Sequence, residues 1–178
     1  MRQIMAVVMA LCGFVSLICA DASAQEGQAY WPTWRGPAMN GVAPKGNPPV
    51  TWSESKNVKW KIEVPGQGTS SPIIWGDKLF FQTAVDTGKA GQVSTRAASE
   101  ERERGRGSRR GRAPSTVFQF DLVCVDRTNG KMLWQKTATE AVPHEGHHGD
   151  HGFASYSPIT DGKHIWVSFG SRGLHCFD

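Results

Sequence analysis

The stretch Asp126-Arg127-Thr128-Asn129-Gly130-Lys131-Met132-Leu133-Trp134 decides the fold, because it places a polar turn between two apolar segments. Before it, residues 118–125 alternate with period two among residues that favour strands. Within it, Asn129 and Gly130 tolerate positive φ and allow a tight reversal. The carboxylate of Asp126 is short enough to accept hydrogen bonds from turn amides, which gives it a structural role. We therefore predict two strands around a turn, and we expect this turn to join two successive sheets.

Two copies of one sequence pattern surround the turn. Residues 122–126 (Leu-Val-Cys-Val-Asp) recur as residues 174–178 (Leu-His-Cys-Phe-Asp). The Ser-Pro-Ile segment at 71–73, with the glycine and the apolar triplet that follow it, recurs at 157–159 with identical spacing. Internal repetition indicates a repeat architecture, and four short antiparallel strands per copy are typical of one β-propeller blade.

The repeat predicts an all-β fold, a partial β-propeller of about two four-stranded antiparallel blades. Blade 1 spans residues 58–134 and blade 2 spans residues 134–178, and Trp60 and Trp134 head the two copies. Residues 58–64 alternate strictly between apolar and charged side chains, so we expect them to form a half-buried antiparallel strand.

The spacing of this turn resembles the Asp-x-x-Thr-Gly-Lys-x-x-Trp consensus of pyrroloquinoline-quinone-type propeller repeats, with Asn129 in place of the Thr. The two Ser-Pro segments resemble the second-strand pattern of the same repeats, and the resemblance covers roughly residues 58–178. The earlier Trp31-Pro-Thr-Trp34 stretch resembles the opening of secreted bacterial proteins of this kind. The resemblance implies that a set of structural residues docks one blade on the next: Asp126, Gly130, Lys131, Trp134 and Trp60.

The length of 178 residues is short for a propeller, because a closed ring needs about four to eight blades. We therefore expect an N-terminal fragment, truncated at its C-terminus within the second blade. Two alternatives stay open: a half-propeller that a partner completes, and a small two-sheet β protein.

Residues 1–24 have the features of a signal peptide. Arg2 precedes an uncharged run from Ile4 to Ala20, and Ala22-Ser-Ala24 offers the small residues that a signal peptidase accepts. We expect cleavage before Gln25 and an exported protein of the periplasm, cell envelope or extracellular space. Contact with the membrane is expected only through this segment if it stays uncleaved.

Residues 25–57 are rich in Pro, Gly and Trp, which predicts an extended, turn-rich lead-in without a helix. Its tryptophans, Trp31, Trp34 and Trp52, are expected to pack on the propeller surface. In the two repeats, Cys124 and Cys176 occupy equivalent positions on separate blades. This placement argues against a disulfide, and we expect both to be small buried apolar residues.

Residues 87–115 contain almost no apolar side chains and are predicted to form a disordered basic insertion in blade 1. Residues 86–116 hold eight Lys/Arg against four Asp/Glu, a surplus that equals the net charge of +4 of the whole chain. The net positive charge therefore comes from this one loop, and it gives no indication of a basic surface on the rest of the domain. We expect a solvated loop, with an anionic membrane or polysaccharide as the alternative partner, and no nucleic acid.

Residues 144–151 concentrate imidazoles, with His144, His147, His148 and His151 beside two carboxylates. Imidazoles at this density can bind a transition metal. The interleaved glycines fix no ligand geometry, so the segment is either a specific metal site, a weak adventitious site or a solvated loop.

The resemblance implies two classes of function. One is an exported, non-catalytic binding or assembly scaffold, similar to the propeller of the outer-membrane β-barrel assembly machinery. The other is a dehydrogenase that oxidises alcohols or sugars with pyrroloquinoline quinone (PQQ) and Ca²⁺. Such dehydrogenases typically have a vicinal Cys-Cys disulfide and a catalytic Asp, and this chain has no Cys-Cys pair and no residue that aligns with that Asp.

We therefore favour the scaffold, with no catalytic residue assigned, no assured cofactor, and an unidentified protein or envelope partner. A third class, a hydrolase or metalloenzyme built around the His-rich segment, lacks a recognisable nucleophile and base.

Overall fold

The computed structural model describes residues 30–92, 111 and 113–178. The predicted signal peptide, residues 25–29 of the lead-in and most of the predicted insertion lie outside these residues. The described chain is all-β, with one five-stranded and one three-stranded antiparallel sheet, which confirms the predicted class. Neither sheet closes on itself in the described part of the chain. No helix among the described residues is long and apolar enough to cross a membrane.

The first sheet has strands β1 (Tyr30–Trp31), β2 (Ile73–Trp75), β3 (Lys78–Ala90), β4 (Thr116–Asp126) and β5 (Met132–Ala141), in that spatial order. Each strand runs antiparallel to its neighbours. The long β3 and β4 form because β-branched and aromatic residues recur along both of them. They make the centre of the sheet.

The second sheet has strands β6 (Ile159–Thr160), β7 (Ile165–Ser168) and β8 (Leu174–Phe177), again antiparallel and in chain order. A single 3₁₀ turn at Gly170–Arg172 connects β7 to β8. The Ser-Pro repeat therefore places β2, β3 and β4 of the first sheet in correspondence with β6, β7 and β8 of the second.

The turn at residues 126–134 lies inside one sheet, so the prediction that it joins two sheets is wrong. Cys124 pairs with Trp134 and Val125 with Met132, which makes β4 and β5 neighbours in a hairpin. A short turn brings its two flanking strands side by side, and Gly130 supplies the positive φ of +76° that the reversal needs. Because β5 continues to Ala141, the predicted blade boundary at residue 134 falls within the first sheet.

Residues 58–64 form no strand, which corrects the strand predicted there. Trp60 and Ile62 pack against Phe81, Val123 and Val125 on one face of the first sheet. An alternation of apolar and charged residues requires only that one side of the segment is buried. Here the first sheet buries that side by packing against it, and no backbone pairing with a neighbouring strand is needed. The four consecutive strands of the first repeat are therefore β2 to β5.

Three smaller predictions also need correction. Trp34 and Trp52 are 59% and 72% exposed instead of packed. The start of the predicted insertion belongs to β3, since Ala90 pairs with Thr116. Both described cysteines are free, as predicted, but only Cys124 is buried, and Cys176 is exposed. Burial raises the pKa of the Cys124 thiol to about 11.

The core lies between the two sheets. One face of the first sheet contributes Ile73, Phe80, Phe120, Leu122 and Cys124, all of them buried. The covering side chains come from the second sheet and the segment before it: Ala154, Val167, Phe169, Ile165 and Phe177. The Phe120 and Phe169 rings lie 5.2 Å apart, which is a favourable aromatic separation.

Gln82 is the polar link across this core. Its side chain is buried, and its Nε2 donates to the carbonyl oxygens of Tyr156 at 2.9 Å and Ser168 at 3.0 Å. Its Oε1 accepts from the Ser168 backbone nitrogen at 3.2 Å. One amide therefore satisfies two backbone groups of β7 and one of the segment that precedes the second sheet, and it fixes how the two sheets sit on each other.

Replacement of Gln82 by Leu tests this link. The change leaves the three backbone groups without their partner, so we expect the free energy of unfolding to fall by about 2–3 kcal/mol in urea titrations. Gln119→Leu is the matched control, because its amide bonds only the exposed side chain of Glu140. We expect the control to change stability by less than about 0.5 kcal/mol. Equal losses in both variants would contradict the role of Gln82.

Candidate functional site

The hairpin turn is organised by Asp126. Its Oδ1 accepts hydrogen bonds from the backbone nitrogen and hydroxyl of Thr128, and its Oδ2 accepts from Asn129 Nδ2 at 3.2 Å. Asn129 Oδ1 in turn accepts from the Lys131 backbone nitrogen at 2.8 Å. The hydrogen bonds from Thr128 and Asn129 hold the pKa of Asp126 below its ordinary value, with the Thr128 hydroxyl as the main cause. The predicted structural role of this Asp is confirmed.

Trp60 and Gly130, two of the predicted docking residues, lie against each other. The indole Nε1 of Trp60 donates to the Arg127 carbonyl oxygen at 2.9 Å. A Cβ on Gly130 would lie 2.6 Å from Cε3 of Trp60, closer than side-chain atoms can approach. Gly130 therefore allows the turn to form and also leaves room for the indole ring. The contact with Trp60 anchors residues 58–64 to the turn.

The other two predicted docking residues do not contact the Trp60 indole in the same way. Trp134 packs in the core on the other face of the first sheet, with its ring 5.9 Å from that of Phe80 and with Lys136 Nζ 5.6 Å from its centroid. Lys131 belongs to the turn, but its side chain is exposed. The structure thus brings together Trp60, Gly130 and the Asp126 turn, and it places Trp134 on the opposite face of the sheet.

A second tryptophan over a glycine was missed by the sequence analysis. Trp75, at the end of β2, lies directly against Gly162 in the turn between β6 and β7, where a Cβ would overlap the indole ring. Tyr30 covers the same indole, with ring centroids 4.4 Å apart. The sequence did contain a signal for this contact: Gly162 is the repeat equivalent of Gly76, which directly follows Trp75.

The main cleft of the described chain has a volume of about 600 Å³ and lies on the face of the first sheet that is opposite the core. Its floor is apolar and is made by Leu79, Phe81 and Val125, with Trp60, Ile62 and Val64 along one side. Its rim consists of residues 66–70 and 149–152. The cleft therefore combines an apolar floor with a polar edge drawn from two distant segments, an arrangement typical of binding sites.

The hydroxyls at the rim are engaged in holding the rim together. Thr69 Oγ1 donates to Ser155 Oγ at 2.9 Å. Ser70 Oγ accepts from the Gln82 backbone nitrogen at 3.1 Å and donates to the Gln82 carbonyl oxygen at 3.3 Å. Neither hydroxyl is paired with an imidazole as a nucleophile would be. Asp150 and His151 are exposed at the opposite edge of the cleft.

The four histidines of the predicted metal segment do not converge. His147 packs edge-on against Phe153, with centroids 4.7 Å apart, and its Nδ1 lies 2.8 Å from the His148 carbonyl oxygen. His148 Nδ1 lies 3.2 Å from Asp150 Oδ2, and the rings of His148 and His151 are 6.2 Å apart. His144 is exposed. Within the described residues, no group of three or more His, Cys, Asp or Glu side chains is placed to hold a metal ion.

Asp121 is a further buried carboxylate that the sequence analysis did not single out. Its Oδ2 accepts from Gln135 Nε2 at 2.6 Å, whereas its Oδ1 has no hydrogen-bond partner among the described residues. Asp121 pairs with Thr83 across β3 and β4 on the face opposite the core, but it does not line the cleft. It therefore adds no polar group to that site.

The described residues do not fit the Ca²⁺ and quinone that the dehydrogenase interpretation implies. Ca²⁺ takes about six to eight oxygen ligands, several of them from carboxylates. The cleft offers one carboxylate, Asp150, beside hydroxyls that are already hydrogen-bonded. We derive no chemistry through either group.

Comparison with known proteins identifies no relative of this chain: no family model, no curated protein and no solved structure matches it.

Paired glycine substitutions test the seat of Trp60. Gly130→Ala and Gly76→Ala both place a side chain at positive φ, which costs about 1–3 kcal/mol in each case. Only Gly130→Ala also drives a Cβ into the indole, whereas Gly76 has no atom within 4 Å in the described chain. We expect Gly130→Ala to be less stable than Gly76→Ala by about a further 1–3 kcal/mol in urea unfolding. Equal losses would show that Trp60 is not held by this contact.

Metal titration tests the histidine segment. Because the four imidazoles do not converge on one point in the described structure, a bound ion has to reorganise the segment at an entropic cost. We expect calorimetric titration with Zn²⁺, Cu²⁺ or Ni²⁺ to give affinities no tighter than micromolar, declining gradually with His144→Ala, His147→Ala, His148→Ala and His151→Ala. His164→Ala, outside the segment, is the control. A stoichiometric metal that survives dialysis, and that one substitution abolishes, would instead establish a dedicated site.

Proposed function

We propose that this chain is part of an exported, non-catalytic β-propeller-type scaffold, and that its cleft binds a segment of a partner protein. The observation that carries the proposal is the composition of the cleft, which has an apolar floor of Leu79, Phe81 and Val125 beneath a narrow polar rim. Phe81 and Val125 are themselves buried, so the apolar side chains open to a partner are the exposed Val64 and the half-buried Trp60, Ile62 and Leu79. Such side chains favour the burial of apolar partner side chains.

The state of the rim supports binding over chemistry. The hydroxyls of Thr69 and Ser70 are engaged in bonds within the protein, so they hold the rim in shape and do not act as activated nucleophiles. The hydrogen bonds that join Thr69 to Ser155 and Ser71 to Ser157 also tie the rim to the second repeat, across 86 residues of sequence in each case. A rim held in this way presents a preformed cleft, which lowers the cost of binding.

The propeller-type architecture is supported by the internal repeat and by two of the tryptophan-over-glycine contacts. Trp75 over Gly162 connects the first sheet to the second, and Trp60 over Gly130 connects residues 58–64 to the turn between β4 and β5. Export rests on the predicted signal peptide at residues 1–24.

Site-specific photo-crosslinking tests the proposal. A photoreactive phenylalanine analogue replaces Gln67, whose exposed side chain lines the cleft, in the full chain expressed in an exporting bacterium. The control position is Val50, which is 93% exposed and does not line this cleft. We expect a discrete protein adduct from position 67, none from position 50, and loss of the adduct in a Val64→Glu background. Identical patterns at both positions, or oxidation of alcohols by the chain with PQQ and Ca²⁺ in a dye-linked assay, would overturn the proposal.

A further inference from the structure

The chain contains two Asn-Gly dipeptides, Asn40-Gly41 and Asn129-Gly130. Asparagine loses its side-chain amide most readily before glycine, because glycine has no Cβ to hinder attack by its own backbone nitrogen. The remaining asparagines are poor candidates: Asn47 precedes a proline, which has no N–H, and Asn57 precedes a β-branched valine. The two dipeptides are thus a matched pair, identical in sequence and different in surroundings.

Asn129 is held at both ends of its side chain. Its Nδ2 donates to Asp126 Oδ2 at 3.2 Å, and its Oδ1 accepts from the Lys131 backbone nitrogen at 2.8 Å. Gly130 is buried, with the Trp60 indole against it. Before the Gly130 nitrogen can reach Asn129 Cγ, the side chain has to leave both partners and the turn has to move away from the indole.

Asn40 lies in an exposed loop of the lead-in, and Gly41 is exposed beside it. The Oδ1 of Asn40 accepts from the Val42 backbone nitrogen at 2.9 Å, and its Nδ2 has no hydrogen-bond partner among the described residues. No described atom lies within 4 Å of the place where a Cβ on Gly41 would be, so the approach to this glycine is open. The backbone nitrogens of Gly41 and Gly130 each donate a hydrogen bond of 2.8 Å, so that bond does not distinguish the two sites.

We propose that Asn40 is a site of spontaneous deamidation, and that the turn around Asn129 protects that residue from the same reaction. The Gly41 nitrogen attacks Asn40 Cγ and closes a succinimide ring, while the bond between Cγ and Nδ2 breaks. Ammonia leaves and carries away the proton of the attacking nitrogen. Water then adds to either ring carbonyl, and the ring opens to aspartate or isoaspartate. The net reaction consumes water and releases ammonia, so it requires no oxidant or reductant.

The turn at Asp161-Gly162 shows the same protection in another form, since aspartate before glycine closes the same ring with loss of water. Asp161 Oδ1 accepts from the backbone nitrogens of His164 at 2.7 Å and Lys163 at 2.9 Å. These bonds, chiefly the one from His164, lower the pKa of Asp161 to about 2. The carboxylate therefore stays ionised in mildly acidic solution and is a poor target for attack. Gly162 lies against the Trp75 indole, whereas neither a turn carboxylate nor an indole holds Asn40 in the described chain.

The reaction changes the loop around residue 40 and does not reach the core. Isoaspartate continues the chain through its side-chain carbon, so it lengthens the backbone by one carbon atom and adds a carboxylate. The loop is closed by bonds from Gly36 N to Thr33 O at 2.9 Å and from Met39 N to Gly36 O at 3.1 Å. Asn40 belongs to neither core cluster. We therefore expect local loosening of the loop and an unchanged midpoint of urea unfolding.

Peptide mass spectrometry on the full chain tests the proposal. The folded protein is incubated in heavy-oxygen water at mildly alkaline pH, and conversion of Asn40 and Asn129 is followed with time. Release of Asn129 breaks a hydrogen bond to the Asp126 carboxylate, so we expect Asn40 to react at least about tenfold faster. The product at residue 40 is expected to contain a heavy oxygen from the water, and an isoaspartate-specific methyltransferase is expected to label it.

Unfolding and substitution supply the controls. In concentrated urea both dipeptides lose their surroundings, so we expect the two rates to converge. Gly41→Ala places a methyl group beside the attacking nitrogen and is expected to slow the reaction at Asn40 alone. Asp126→Ala removes the partner of Asn129 Nδ2 and is expected to speed the reaction at Asn129. Gly76→Ala is the matched control, because Gly76 also has positive φ and open surroundings in the described chain but follows no asparagine, and both rates are expected to stay unchanged.

The inference is overturned if Asn40 and Asn129 react at equal rates in the folded chain. It is also overturned if their difference persists in urea, since the difference would then belong to the local sequence and not to the structure. Conversion of Asn40 that Gly41→Ala leaves unchanged would reject the succinimide route. An unchanged rate at Asn129 in Asp126→Ala would reject the protection by the turn.

Discussion

The structure depends on the burial of one face of the first sheet beneath the second. Ile73, Phe80 and Leu122 are at most 4% exposed there although they lie on three different strands, so this contact holds β2, β3 and β4 in one core. A two-stranded hairpin is marginal alone, and a packed apolar face is what gives an antiparallel sheet its stability. Gln82 adds direction to this burial, because its three hydrogen bonds are satisfied only when Ser168 of β7 and Tyr156 before β6 lie in one position. Apolar burial thus brings the two sheets together, and the Gln82 amide fixes their relative position.

Glycine at the turns lets a tryptophan ring approach the backbone at three places in the described chain: Trp31 meets Gly36, Trp60 meets Gly130 and Trp75 meets Gly162. Gly130 and Gly162 both have positive φ, and both lack the Cβ that would otherwise meet an indole ring. The same residue type therefore solves two problems, the reversal of the chain and the close packing of a tryptophan. Gly76 also has positive φ, but no atom lies within 4 Å of the place where its Cβ would be in the described chain. Its glycine is therefore required by the turn alone.

Sequence patterns predicted the all-β class and the Asp126 turn, because each of these depends on local periodicity or turn chemistry. The length of β3 and β4 was not predicted, since four short strands were expected in each repeat. The assignment of β5 to a second sheet was wrong. A turn motif indicates that the chain reverses, but it does not indicate where the next sheet begins. The strand predicted at residues 58–64 was wrong for a related reason: alternation reports one buried face and carries no information on backbone pairing. The cleft could not be predicted at all, because its rim joins Thr69 to Ser155 across 86 residues. The predicted signal peptide and most of the predicted insertion lie outside the described residues and stay predictions.

The groups that the cleft leaves free for binding indicate how large its partner is. The rim hydroxyls are used internally, and the apolar floor gains free energy only in proportion to the area that a partner removes from water. A small polar substrate would find few unpaired groups to recognise it, whereas an extended segment would cover the exposed Val64 and the half-buried Trp60 and Ile62 together. In the second sheet, Ile165, Val167 and Phe177 pack against a sheet face within the same chain. At the equivalent positions of the first sheet, Phe81 and Val125 are instead buried beneath Trp60 and Ile62, so the apolar side chains left for a partner lie along one side of the cleft. An extended partner segment fits that arrangement.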